Sequence, residues 1–189
     1  MKPDPAVFAK GMFFVGIDPG KSGGIVAMTH DGGIHPELLW KMPESEHELH
    51  DIFRYYLDGQ TSHAILERAQ SMPKQGVSSS FNFGVSYGFL RGLLIAFRIP
   101  FEIVQATTWQ RYMHCLTHGD KNISKARALN LFPHLPITHA TADALLLAKY
   151  GREKSLGLLP PPIKIVRQSK PDPRQARIPL SGQEQIDDF

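Results

Sequence analysis

Between Phe13 and Trp40 the chain carries three apolar runs separated by turns too short to hold a helix. This stretch constrains the fold more than any other. Phe13-Phe14-Val15-Gly16-Ile17-Asp18 stops at Pro19-Gly20, a second run covers 23–28, and Asp31-Gly32-Gly33 leads into a third over 34–40. Strands joined this tightly pair as consecutive antiparallel hairpins. The pattern then changes. Residues 46–57 have helical spacing, with Leu49, Ile52, Phe53 and Tyr56 on one face. A fourth strand is expected over 63–67, a long glycine-dotted helix over 81–97, and a fifth strand over 101–104. Helices over 124–131 and 138–150 follow, with Ser124 and Thr138 as N-caps. The expected fold is α/β: a five-stranded mixed sheet, three antiparallel strands and then two parallel ones, flanked by helices.

Domain organisation follows from the composition along the chain. The 189 residues suit one domain with a tail. Residues 1–12 read as a lead-in and 13–151 as the folded domain. From 152 to 189 the chain turns Pro-rich and basic, with Pro160-Pro161-Pro162, Lys164, Arg167, Lys170, Arg174 and Arg177, which describes a flexible extension. A formal charge of +3 is compatible with a nucleic-acid partner. Cys115 is the sole cysteine, so an intramolecular disulfide is excluded and a reducing, cytoplasmic setting is expected. No apolar run approaches a membrane span, and Asp4 with two prolines interrupts any signal-peptide core, so neither membrane insertion nor secretion is expected.

Three carboxylates occupy telling places. Asp18 ends the first strand, Glu67 ends the fourth, and Asp143 lies in the first turns of the last helix. Sites in α/β sheets form at the carboxyl ends of strands. Adjacent carboxylates raise one another's pKa unless they share a cation. An all-oxygen donor set favours Mg²⁺ or Mn²⁺, and two such ions roughly 3.5–4 Å apart serve phosphodiester hydrolysis. His139 precedes Asp143 by one helical turn and shares its face, where imidazole suits a metal ligand or a general acid/base. The bland reading of each residue alone is a solvated strand end, a helix cap or an exposed histidine. The coincidence of all of them in this strand order argues against it.

Two look-alikes fail. Gly16-Ile17-Asp18-Pro19-Gly20-Lys21-Ser22 is one residue short of a P-loop, holds a proline where the cradle needs an N–H, and precedes a strand instead of a helix. His47-Glu48-Leu49-His50 spaces its histidines three apart where a zinc protease needs four.

Basic and polar residues cluster around the acidic elements. Arg68, Arg111, Lys121 and Lys125 are candidates for phosphate contacts, as are Lys74, Gln75, Ser78, Ser79 and Ser80 in the polar, exposed loop expected over 70–80 after Glu67. Each reads equally well as an ordinary solvated side chain.

Taken together, Gly16-Ile17-Asp18-Pro19-Gly20, Leu66-Glu67, and Ala142-Asp143-Ala144-Leu145 with Leu146-Leu147-Ala148 resemble the RuvC-type Holliday junction resolvases of the RNase H-like superfamily. Lys74-Gln75-Gly76, the 81–92 segment and Trp109 look most like the bacteriophage and chloroplast (MOC1-type) branch. The resemblance covers residues 13–151. It implies an RNase H-like fold and a homodimeric, Mg²⁺- or Mn²⁺-dependent endonuclease with two ions per site. Such an enzyme nicks four-way junctions symmetrically to leave 5′-phosphate and 3′-hydroxyl ends. It also implies Asp18, Glu67 and Asp143 as metal ligands. Where the family carries a fourth acid, this chain has His139. Where a lysine commonly follows the tryptophan, it has Gln110, with Arg111, Lys121 and Lys125 as substitutes. The 81–97 helix resembles the family's dimerisation element, and its glycine stripe and aromatics read equally well as intramolecular core. A nuclease for hybrids or flaps and a catalytically silent DNA-binding module stay open as alternatives.

The chain ends in Gln185-Ile186-Asp187-Asp188-Phe189. This tip loosely resembles a sliding-clamp-binding peptide, with Asp188 where leucine is usual. A solvated terminus is the competing reading.

Overall fold

The computed structural model describes residues 12–68 and 76–159. Lys74, Gln75, most of the expected lead-in, most of the basic extension and the 185–189 tip lie outside the described residues. Strands β1 (Phe13–Asp18), β2 (Gly24–Thr29) and β3 (Leu39–Lys41) come first, then helix α1 (Glu46–Ile52) and strand β4 (Thr61–Glu67). Helix α2 (Val77–Ala96), strand β5 (Phe101–Val104) and helices α3 (Ala106–Tyr112), α4 (Lys121–Leu131) and α5 (His139–Ser155) complete the chain.

All five strands join one sheet in the order β3-β2-β1-β4-β5. The β1/β2 and β2/β3 pairs are antiparallel, and β1/β4 and β4/β5 are parallel. This is the mixed α/β sheet that the turn spacing requires. Both faces are covered. On one, Phe13, Val15, Ile17 and Leu66 pack with Leu49 and Phe53 of the α1 region and with Leu90 and Leu94 of α2. On the other, Val26, Ile65 and Val104 pack with Trp109, Met113 and the apolar face of α5. Burial on both faces explains why β1 reads as a continuous apolar run.

Helix α5 lies unusually close to the sheet. A Cβ on Gly16 of β1 would lie 2.0 Å from the Ala144 carbonyl oxygen and 2.3 Å from the Ala148 nitrogen. One on Gly24 of β2 would lie 2.7 Å from the Ala140 oxygen. Glycine on the strands and alanine on the helix therefore set the spacing that brings Asp143 to the strand ends.

Several boundaries differ from the sequence reading. Residues Pro36–Leu38 form a 3-10 turn capped by the His35 ring, so β3 starts at Leu39. The helix from Glu46 widens into a π-turn over Phe53–Leu57. Helix α2 starts at Val77, which puts Ser78, Ser79 and Ser80 in its first turn and not in a loop. Ser124 is not an N-cap: Asp120 caps α4, accepting from the Asn122 N–H at 2.9 Å, while Ser124 is buried inside the helix and donates to the Lys121 carbonyl. Thr138 caps α5 as expected, in a reciprocal pairing with Thr141. That helix runs on to Ser155, past the expected end of the folded unit. Among the described residues no helix is long and apolar enough to cross a membrane.

Candidate active site

Parallel pairing of β1 with β4 sets Ile17 opposite Leu66. The next residue on each strand is a carboxylate, Asp18 and Glu67. Asp143 reaches the same sheet end from α5, one turn into the helix. Asp18 and Asp143 are buried, each 8% exposed, and Glu67 is partly buried.

The three carboxyls feel one another. Burial raises the pKa of Asp18, the Gly20 N–H (3.1 Å from Oδ1) lowers it, Asp143 raises it and Lys121 lowers it. Burial and then the charge of Asp18 push Glu67 up to about 7. The Trp109 indole N–H, donating to Glu67 Oε2 at 3.0 Å, works against that rise, Asp143 adds to it and Lys121 opposes it. The Oδ1 atom of Asp143 is buried with no hydrogen-bond partner. Such an atom costs about 1–3 kcal/mol unless something satisfies it. A Cβ on Gly23 would lie 2.8 Å from Asp18 Oδ2, so glycine keeps the space beside that carboxylate free.

An orphaned buried oxygen on Asp143, an all-oxygen trio and the raised pKa values of Asp18 and Glu67 suit a hard divalent cation. The donors do not form a closed cage. Among the described residues, no three His, Cys, Asp or Glu side chains are grouped as a finished metal-holding set. Asp18, Glu67 and Asp143 are thus gathered at one sheet end, in electrostatic contact.

The remaining sequence candidates distribute unevenly. His139 is the first residue of α5 and is exposed, one turn before Asp143. Lys121 is exposed at the first position of α4, and its field reaches both Asp18 and Glu67. Arg111 is exposed on α3 and Lys125 half-buried on α4. Arg68 is exposed directly after Glu67, its backbone N–H donating to the Val104 carbonyl. Ser78 and Ser79 are exposed and Ser80 half-buried. Gln110 is buried, and its Oε1 accepts the Thr117 N–H at 3.4 Å, so it braces the α3–α4 connection and offers no surface contact.

Sequence reasoning missed two features of this site. The Trp109–Glu67 bond joins residues 42 positions apart, and no local pattern announces it. The close approach at Gly16 leaves only a glycine as its signal, and glycine has other uses.

The fold is similar to that of Thermus thermophilus RuvC. A structure described as T. thermophilus RuvC in complex with Holliday junction substrate aligns at a TM-score of 0.52 and 14% identity, covering 78% of this chain and 98% of that one. A second, described as Thermus thermophilus RuvC structure, aligns at 0.50 with the same identity and coverage. At such identity the likeness establishes the RNase H-like fold. No family model matches the chain, and no curated protein matches it.

Proposed function

We propose that this protein is a metal-dependent endonuclease that resolves four-way DNA junctions. The observation that carries the reading is the buried, unpartnered Asp143 Oδ1 beside the strand-end carboxylates Asp18 and Glu67. The fold supports it, since one similar structure is RuvC in complex with a Holliday junction substrate.

Asp18, Glu67 and Asp143 would hold two Mg²⁺ or Mn²⁺ ions, with His139 completing the set from the start of α5. Bound there, the ions would lower the pKa of the attacking water and stabilise the leaving oxygen of an in-line displacement. The chain's own residues do the rest. Gly20 holds one oxygen of Asp18, and Gly23 leaves space beside the other. Lys121 offsets part of the negative charge and, exposed at the start of α4, is available for a phosphate contact. Arg68, Lys74, Gln75, Ser78, Ser79, Ser80, Arg111 and Lys125 supply phosphate contacts, so binding weakens as salt rises. Products carry 5′-phosphate and 3′-hydroxyl ends.

A four-way junction has two-fold symmetry, and a C2 dimer would present one site to each of two opposed strands. The exposed stripe of α2, with Phe81, Val85 and Ile95 alongside Gly84, Gly88 and Gly92, is the surface we assign to that dimer. Resemblance to the bacteriophage branch makes a host cytoplasm the setting. A sliding clamp is the partner proposed for Gln185-Ile186-Asp187-Asp188-Phe189. Deletion of 183–189 tests that assignment, and unchanged clamp affinity would end it.

A cleavage panel of four-way junction, flap, duplex and RNA–DNA hybrid, with Mg²⁺ and with Mn²⁺, tests the main reading. The expected outcome is paired symmetric nicks in the junction. Asp18→Asn and Glu67→Gln abolish cleavage and retain junction binding. Preferred cleavage of flap or hybrid would transfer the site to another substrate. Full activity in either variant would remove the site itself.

A further inference from the structure

We infer that Trp109 is a positioning residue that fixes the Glu67 carboxylate for metal binding through its indole N–H. The inference rests on the reading of Glu67 as a metal ligand and asks what holds it in place.

The three carboxylates are anchored differently. Asp18 has a short side chain, and the Gly20 backbone N–H takes its Oδ1. Asp143 projects from a helix packed tightly on the sheet, with Oδ1 left open. Glu67 has one more rotatable bond than either and is the last residue of its strand. It is the member most in need of an external anchor. Trp109 Nε1 donates to its Oε2 at 3.0 Å.

The anchor is itself held by the core. Trp109 is fully buried, packed with Val104, Met113, Cys115 and the apolar face of α5. An indole N–H is a donor only. If Glu67 swings away, that buried N–H loses its partner, so core packing and carboxylate orientation are linked. Tryptophan suits the task chemically. It carries no charge to compete with a cation, as lysine or arginine would, and it keeps its proton throughout the working pH range. One Glu67 oxygen is thereby held by the core while the other stays open to a ligand. Partners of this kind orient metal-binding groups, and their loss costs ~10–100-fold in metal affinity or activity.

Mn²⁺ binding by the full-length protein, followed by calorimetry, provides the test. Two proteins are compared with the parent. One carries Trp109→Phe. The other has benzothiophene in place of the indole at position 109, which puts sulfur where the N–H was and keeps the ring shape. We expect both to bind Mn²⁺ about tenfold more weakly or worse. Raising Mn²⁺ restores cleavage, so the defect lies in metal concentration dependence and not in the maximal rate. The benzothiophene protein keeps the parent's thermal midpoint, which separates positioning from packing. Parental Mn²⁺ affinity in the benzothiophene protein would overturn the role of Trp109 and leave the function proposed above intact. A parent that binds no Mn²⁺ would overturn both.

Discussion

The β1 backbone at Gly16 lies against the Ala144 carbonyl so closely that a methyl group there would sit 2.0 Å from the oxygen. The atoms in the way belong to helix backbone, so no side chain can rotate aside. Asp143 precedes Ala144 directly. Moving α5 off the sheet therefore moves the carboxylate whose field reaches Asp18 and Glu67. We predict that Gly16→Ala destabilises the fold by about 1–3 kcal/mol, the range for an overpacked core. The same substitution should lower cleavage on the order of 100-fold, since about 1 Å of misplacement has that effect in a positioned site. Denaturant unfolding and single-turnover cleavage measure the two. Unchanged cleavage in a destabilised protein would show that α5 spacing does not set the site.

Glu67 gives a pH dependence with a definite sign. Burial and Asp18 raise its carboxyl from 4.5 to about 7. Between those values the folded protein binds more protons than the unfolded chain. Stability therefore falls as pH rises through that window. The full effect is at most roughly 3 kcal/mol, and partial exposure reduces it. Glu67→Gln removes the term, because a neutral amide has the same charge as the protonated acid. In chelator, the variant should match the parent near pH 4.5 and exceed it in stability near pH 8, while being inactive. Divalent metal should stabilise the parent much more at pH 8 than at pH 5, because a protonated carboxyl is a poor ligand. Equal stability of the two proteins at pH 8 in chelator would sink the argument.

The mixed sheet and the strand-end positions of Asp18 and Glu67 were legible because buried strands are written as apolar runs, and the first and fourth runs stop at a carboxylate, whereas the pairing of β1 with β4 is a tertiary fact. Helix α3 was not legible. Its Ala-Thr-Thr-Trp-Gln-Arg-Tyr spans only about two turns and holds mostly residues of middling helix preference, and tertiary burial of Trp109 holds it in place. The start of α4 was misread because Asp120 and Ser124 are both good caps in isolation. What separates them is the burial of Ser124, a tertiary fact. The same limit applies inside the site. Residue types at strand ends can be read from order, but the Trp109 bond to Glu67 depends on how α3 folds back across the sheet. Lys121 was one of several equivalent cations in the sequence. Its capped helix start is what brings its charge to the carboxylates.

The glycines of α2 offer a test in which intrinsic helix preference and assembly have opposite signs. Gly84, Gly88 and Gly92 sit inside a 20-residue helix, where each costs about 1 kcal/mol relative to alanine. Beyond the adjoining backbone of the helix itself, nothing in the described residues lies within 4 Å of where their Cβ atoms would be, so the monomer does not need glycine there. They share a stripe with Phe81 and Ile95, which are 69% and 64% exposed. A helix that gives up stability for smoothness on a face exposing large apolar groups suits close approach by a second copy. For a monomer, Gly88→Ala should stabilise by the propensity difference and change nothing else. For a dimer packed on this stripe, Gly88→Leu should weaken self-association at least tenfold in sedimentation equilibrium. Paired junction cleavage would then give way to single nicks at low protein concentration, with helix content unchanged. A Gly88→Leu protein that self-associates like the parent would remove α2 from the dimer interface.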